Sequence, residues 1–273
     1  MKQTIISFTA IPPRFSNLGA KFKSLEQQTV RPDRVQLTLP RTYRRFPGEL
    51  PSLPSMPDWV EVFECDFDYG PATKLLPAVQ RWAGTDSDIL ICDDDRLQDK
   101  DWVSRFKKVR EQRQNDIVCE RGWNIQDRFG LMQQSLKLPR AEKNRKEGRT
   151  LGYRFKRVCS LNFLHPPRQV YFKPGYVDVF EGFLGALIPV KAVPPSAFDI
   201  PATIWTVDDV WVSGMAALTN TYVWAHDIER PVYSGGKFDK LAALKDHIEN
   251  GVTRDSADKM AVEHLRNTFE VWM

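Results

Sequence analysis

Ile89-Leu90-Ile91-Cys92-Asp93-Asp94-Asp95 is an apolar run that stops abruptly at three consecutive carboxylates. Adjacent like charges repel, so such a triplet at the end of a buried strand implies a cation that holds it together. In an open α/β sheet the carboxyl ends of the strands form the ligand crevice, and alternation along the chain predicts that Asp93 and Asp95 point to the same side. Oxygen donors favour Mg2+ or Mn2+, ions that complete their shells with water and with a substrate's phosphates. The competing reading is a solvated acidic turn.

Working outward, Thr4 to Thr9 is a β-branched run ending in Ala10-Ile11-Pro12-Pro13-Arg14, which predicts a strand feeding a rigid loop with Arg14 at its carboxyl end. Asn17 to Gln28 carries Leu18, Phe22 and Leu25 at helical spacing with Ser16 as its cap, and Val35 to Leu39 follows as a strand. Pro40 to Pro57 reads as a long loop and Val60 to Cys65 as a strand. Ala72 to Trp82, with Leu75, Leu76, Val79 and Trp82 on one side, predicts a helix beginning beside Pro71. Beyond the triple Asp come a helix over Asp101 to Arg113 and a short strand over Asp116 to Cys119. Strands alternating with helices imply an α/β fold, a mostly parallel, Rossmann-like sheet flanked by helices.

Residues 121–157 are rich in Arg and Lys and poor in apolar positions, which reads as a basic, mobile or partly disordered insertion. Order resumes at Val170-Tyr171-Phe172 and at Tyr176 to Val190, a strand-like run broken by Glu181-Gly182. A helix containing Val210 to Leu218 follows Asp208-Asp209, Tyr222-Val223-Trp224 reads as the last strand, and Lys237 to Asn250 and Ser256 to Trp272 as closing helices. The expected organisation is a single domain over 1–236 with a helical tail, 237–273, packed on it.

With 42% hydrophobic residues, eight Trp and sixteen Phe in 273, the chain has material for a sizeable core. A net charge of +4 suits phosphate-bearing ligands or an anionic surface, and without an aromatic ladder or basic helix it excludes nucleic acid as a partner. Cys65, Cys92, Cys119 and Cys159 are widely separated and read as reduced core thiols. No run of eighteen apolar residues and no signal-peptide stretch is present, so a cytoplasmic location is expected, with peripheral contact at the inner membrane surface left open.

Five blocks occur in a set order: the strand leading through Thr9 to Arg14, SLEQQTVRPDRVQLTLP, DYGPATKLLPAV, ILICDDD and VDDVWVSG. In this order the chain resembles a nucleotide-sugar glycosyltransferase of the type A fold, of the family 2-like kind that builds bacterial polysaccharides. The resemblance covers most of the chain. It implies an enzyme that moves a sugar from a nucleoside-diphosphate donor, UDP-sugar favoured, to a glycan or lipid-linked acceptor, by inversion. It implies Mn2+ or Mg2+ on Asp93 and Asp95, with His226 as a late further ligand ahead of His247 and His264; His165 reads as a loop residue. Asp209, with Asp208 as the alternative, takes the place of the catalytic base, although an Asp pair there also caps a helix. Thr9, Arg14, Asp68, Gly70, Lys74, Asp93, Asp94, Glu181 and Gly182 fall in the nucleotide-sugar set. For Lys74 the chemistry is independent of the resemblance, because a Gly-Pro turn at a helix start with a Lys beside it suits an anion. The basic segment and the lack of a Q-x-x-R-W motif depart from the processive, membrane-embedded synthases.

Two other classes share the acidic motif. A nucleotidyl-transfer or phosphoryl-transfer enzyme also uses paired carboxylates with magnesium, but the chain has no G-x-x-x-x-G-K-[ST] loop. A non-catalytic nucleotide-sugar or glycan-binding module would keep the fold without the reaction.

Overall fold

The computed structural model describes residues 2–144, 151–159, 169–230 and 253–273. Its main sheet has eight strands: β1 (Gln3–Thr9), β2 (Arg34–Pro40), β3 (Val60–Cys65), β4 (Ser87–Ile91), β5 (Ile117–Cys119), β6 (Gly175–Val177), β7 (Ala186–Pro189) and β8 (Val223–Ala225). Their order is β3-β2-β1-β4-β7-β5-β8-β6. Pairing is parallel from β3 through β4 and between β5 and β8, whereas β7 runs antiparallel to both neighbours and β6 antiparallel to β8. The expected α/β architecture, a mostly parallel sheet flanked by helices in one domain, is the observed one.

Strand alternation divides the core in two. Ile5, Ile89, Ile91 and Ile188 face a layer holding α2 (Leu76–Arg81), α4 (Asp208–Leu218) and α5 (Arg254–Phe269). Ile6, Phe8, Leu90 and Leu187 face α1 (Leu18–Glu26) and α3 (Trp102–Gln112). Because β1 and β4 are adjacent and central, their carboxyl ends open at one edge, where the loops after both strands meet.

Several local expectations change. The helix expected over Ala72 to Trp82 is split into a 3-10 turn, Gly70–Lys74, and α2, because Pro77 has no N–H to continue one helix through it. The cap of α1 is Asn17 rather than Ser16, since the Pro12–Asn17 segment first forms a 3-10 turn. At Glu181-Gly182 the chain leaves the sheet through a 3-10 turn, Gly182–Leu184, and re-enters as β7. Of the four thiols, Cys92 and Cys119 are core residues, Cys65 is half-buried and Cys159 is exposed. In the basic segment, Gly122–Trp123 pairs with Val179–Phe180 and is followed by a short helix, Ile125–Phe129, so its first part is built into the domain. The helix expected over Lys237 to Asn250, the boundary at 236/237, His165 and His247 lie outside the described residues. No helix among the described residues is long and apolar enough to cross a membrane.

One buried cation fixes the turn after β4. Lys21 of α1 is 0% exposed, and its ammonium donates to the carbonyls of Asp93 (2.9 Å) and Arg96 (3.0 Å) and to Gln98 Oε1 (2.5 Å). Substituting Lys21→Met leaves three acceptors orphaned, and urea denaturation should show a loss of about 2–4 kcal/mol. Lys23→Met, exposed on the same helix, should stay within about 0.5 kcal/mol; equal effects for the two would remove the anchoring role.

Candidate functional site

At the carboxyl edge of the sheet lies a cavity of about 600 Å³. It draws on the ends of β1 and β4, the Asp68–Lys74 loop, the turn after Val179–Phe180, and the first turns of α4 and α5. Thr9, Arg14, Asp68, Gly70, Lys74, Asp93, Asp94, Asp95, Glu181, Asp208 and Asp209 all line it. Sequence positions up to 200 residues apart are thus brought to one place.

The orientation of the acidic triplet differs from the expectation. Alternation would send Asp93 and Asp95 to the same side, but β4 ends at Ile91 and Asp94-Asp95 form a turn. Asp93 therefore meets Lys74 Nζ (2.9 Å), while Asp94 and Asp95 share Arg14 Nη1 (2.7 and 2.9 Å). Arg14 is 8% exposed and committed to these carboxylates. Burial and the neighbouring charge of Asp93 push the Asp95 carboxyl up to about 6, against the pull of Arg14.

Lys74 is the hinge of the charge array. It is 4% exposed and also binds Asp208 Oδ2 at 3.0 Å. Burial works against its charge, but Asp208 and Asp93 outweigh burial and raise the ammonium well above the ordinary lysine value. For Asp93, burial is overcome by Lys74, which holds the carboxyl below the usual range. Asp209 has no such partner. Burial and the adjacent Asp208 raise its carboxyl well above the ordinary value, Lys74 and Arg254 only partly opposing them. Its Oδ2 accepts the Gly182 N–H at 3.1 Å, and its buried Oδ1 has no hydrogen-bond partner among the described residues.

Glycine at 182 is a steric requirement. A Cβ there would stand 2.8 Å from Asp209 Oδ1 and 3.3 Å from Lys74 Nζ. Glu181 beside it pairs with Arg121 at 2.6 Å. Asp68 organises the loop rather than standing free: its carboxylate accepts the N–H groups of Gly70 and Arg44, each at 2.8 Å. Gly70 has φ +61°, and a Cβ on it would meet the Trp205 ring at 2.7 Å.

His226 is not brought to the cavity. It is 3% exposed, its Nδ1 accepts the Ile228 N–H at 3.2 Å, and its ring packs edge-on against Phe106 with centroids 5.7 Å apart. The strand pattern before it indicated proximity to the sheet end but not which side of the sheet the ring would enter. His264 likewise packs against Trp211 and Phe269.

Several lining residues went unnoticed in the sequence: Tyr43, Arg45, Phe46, Arg96, Trp123, Arg128, Trp205, Arg254 and Asp258. Trp123 and Arg128 sit in the segment whose composition suggested disorder, and Arg254 and Asp258 start a helix read only for its apolar period. Arg128 stacks over Trp123 at 4.6 Å and is held by Asp255 (2.6 Å) and Asp258 (2.8 Å).

The donor set suits a hard divalent cation. Eight carboxylates line the cavity against six cationic side chains, so an anionic ligand entering alone meets a net negative wall. Asp95, whose carboxyl is raised by burial and by Asp93, gains from an added cation. Among the described residues no three His, Cys, Asp or Glu side chains converge to cage a metal unaided.

The chain matches no family model, and no curated protein matches it. Among solved structures it is similar in chain course to S. aureus TarS. Against TarS 1–349 the TM-score is 0.45 at 12% identity, covering 99% of this chain and 72% of that one. Against TarS 1–349 in complex with UDP-GlcNAc it is 0.49 at 12% identity, covering 99% and 73%. Likeness at this level assigns no role to any residue here.

Burial, with Arg105 and Arg230 nearby, depresses the His226 imidazole to about 3. A folded-state pKa below the unfolded value of about 6.5 means stability present above pH 6.5 and lost as pH falls toward 3, at up to about 1.4 kcal/mol per pH unit. His226→Gln should flatten that acid loss in urea titrations between pH 7 and 4. An unchanged slope would show that the ring is not held neutral.

Proposed function

We propose that this chain is a metal-dependent glycosyltransferase that passes a sugar, with inversion, from a nucleoside-diphosphate donor to a glycan or lipid-linked acceptor in polysaccharide biosynthesis. The observation that carries the proposal is Asp209: a carboxylate with one oxygen unpartnered, raised in pKa, in the same cavity as the acidic triplet and Lys74. A base for an acceptor hydroxyl needs a free oxygen and a raised pKa, and Asp209 has both. UDP-sugars are the favoured donors.

The Asp209 carboxylate takes the proton of the acceptor hydroxyl as the hydroxyl oxygen attacks the anomeric carbon. The bond from that carbon to the phosphate oxygen breaks, and its electron pair leaves on the nucleoside diphosphate. Mn2+ or Mg2+, held by Asp93 and Asp95 together with the donor's diphosphate, would supply charge stabilisation of that leaving group. Lys74 pairs with Asp93 and with Asp208, bridging the two carboxylates. Gly182 allows the chain to approach Asp209 closely enough for its N–H to orient the carboxylate. Trp123, Phe183 and Trp205 offer apolar faces for sugar rings.

A panel of UDP-, GDP-, CMP- and dTDP-sugars with Mn2+ or with EDTA tests the proposal. The expected result is Mn2+-dependent thermal stabilisation by one nucleotide class and slow release of its nucleoside diphosphate. Pyrophosphate released from a nucleoside triphosphate instead would mean nucleotidyl transfer.

Two substitutions separate the roles. Asp209→Asn should cut turnover by about 100–10,000-fold with nucleotide binding retained. Asp95→Ala should abolish the metal dependence of donor binding in calorimetry, and unchanged binding would remove Asp95 from the metal set.

A further inference from the structure

The excursion of the chain between Glu142–Lys143 and Tyr171–Lys173 is closed at its base. Those two short strands pair antiparallel, Asn144 N donates to the Val170 carbonyl at 3.0 Å, and Lys173 pairs with Glu142 at 2.7 Å. The buried Tyr171 hydroxyl donates to the Gly122 carbonyl at 2.9 Å and accepts the Gly122 N–H at 2.8 Å. One ring thus fastens the base of the excursion to the residue beside Trp123, which lines the cavity.

Within the excursion lies the helix Leu151–Cys159, LGYRFKRVC. Phe155, Val158 and Cys159 recur at the spacing of one helical face, and Arg154 and Arg157 lie off it. Phe155 and Val158, together with Phe172 of the paired strands, are each between 63% and 71% exposed. No described side chain of this helix enters either layer of the core. A nine-residue helix holds little structure in water without apolar contact. Its apolar face therefore suits a surface that the described residues do not supply.

Charge selects that surface. Residues 137–157 hold nine Lys and Arg against two Glu, a net +7 in a chain whose total is +4, so the remainder of the chain stands at −3. The basic block calls for an anionic partner. A soluble polyanion would neutralise the charge but leave Phe155, Val158 and Phe172 in water. A lipid interface with anionic headgroups answers both, with the phenyl rings and methyl groups among the acyl chains and the cations among the phosphates.

We propose that the helix Leu151–Cys159, with the paired strand that carries Phe172, is a membrane-docking element for anionic phospholipid. The docking goes beyond the sugar-transfer reading and does not depend on it. Where that reading holds, the fastening through Tyr171 ties the docked element to the wall of the cavity, and the acceptor class that fits is a lipid-linked one rather than a free glycan.

The docking is tested on the full chain by vesicle sedimentation, without nucleotide or metal. Binding to vesicles of equal phosphatidylcholine and phosphatidylglycerol should exceed binding to phosphatidylcholine alone by about tenfold or more. Phe155→Ser combined with Val158→Ser should weaken it by about 10–100-fold, and Arg154→Gln by about fivefold. Phe67→Ser, at a comparably exposed ring on the loop before Asp68, should stay within about twofold of wild type. Because these side chains are exposed, each variant should melt at the wild-type temperature. A polarity-sensitive dye on the exposed thiol of Cys159, in a Cys65→Ser background, should shift to the blue on the mixed vesicles only. Absent binding, equal binding to both lipid compositions, or wild-type binding by the Phe155→Ser, Val158→Ser double variant overturns the proposal. So does a lipid-free dimer that the double variant dissociates, because the face then belongs to a second copy of the chain. A chain that binds the vesicles but turns over no nucleotide sugar defeats the transferase reading and leaves the docking intact.

Discussion

The ammonium of Lys74, pressed between Asp93 and Asp208, is the contact on which the cavity depends. Its two partners are separated by more than a hundred residues and belong to different elements, the end of β4 and the start of α4. Taking three charges out of water is costly unless each finds a partner at close range. The two bonds of 2.9 and 3.0 Å meet that condition for Lys74, Asp93 and Asp208. Asp209, one residue further on, is left outside the arrangement, and burial beside the charge of Asp208 makes its carboxyl hard to ionise. A single lysine thus both joins the sheet edge to the helix and divides two adjacent aspartates into a paired and an unpaired one.

Gly182 belongs to the same construction. The chain segment that carries it lies against Lys74 and Asp209 at distances no side chain would permit. Its N–H takes one Asp209 oxygen, which leaves the other buried without a hydrogen-bond partner among the described residues. Three separate stretches of chain therefore define the chemistry of one carboxylate. On the opposite side of the triplet, Arg14 serves Asp94 and Asp95 together, so the turn after β4 has a cation on each flank.

How much of this was readable in the sequence follows the range of the interactions. The strands and flanking helices were legible because alternation and helical spacing are local, and the triple Asp because like charges at a strand end are rarely idle. The same alternation misdirected Asp93 and Asp95, since it holds only while the chain stays extended and β4 ends at Ile91. Pro77 was visible, yet the periodicity of Leu75, Leu76 and Val79 masked the break it imposes. His226 carries no mark in sequence of whether its ring enters the cavity or the core under Phe106. Arg254, Asp258, Trp123 and Arg128 reach the site only through packing of distant elements, and no local pattern distinguishes them from surface residues. Composition misled most at Trp123 and Arg128, where a basic, apolar-poor stretch contributes a wall of the cavity.

The three bonds made by Lys21 bear on how ligands are met. The carbonyls of Asp93 and Arg96 are tied to α1 from beneath, so the backbone of the acidic turn is ordered when the domain folds. Conformational entropy given up at that stage is not lost again when a ligand arrives. Adjustment to an incoming cation falls to side-chain rotations of Asp93, Asp94 and Asp95 about a stationary main chain, which are fast compared with loop rearrangement. The turn is therefore a rigid mount with movable carboxylates, and the cation proposed for it would exchange through changes of ion-pair partner and not through the opening of a loop.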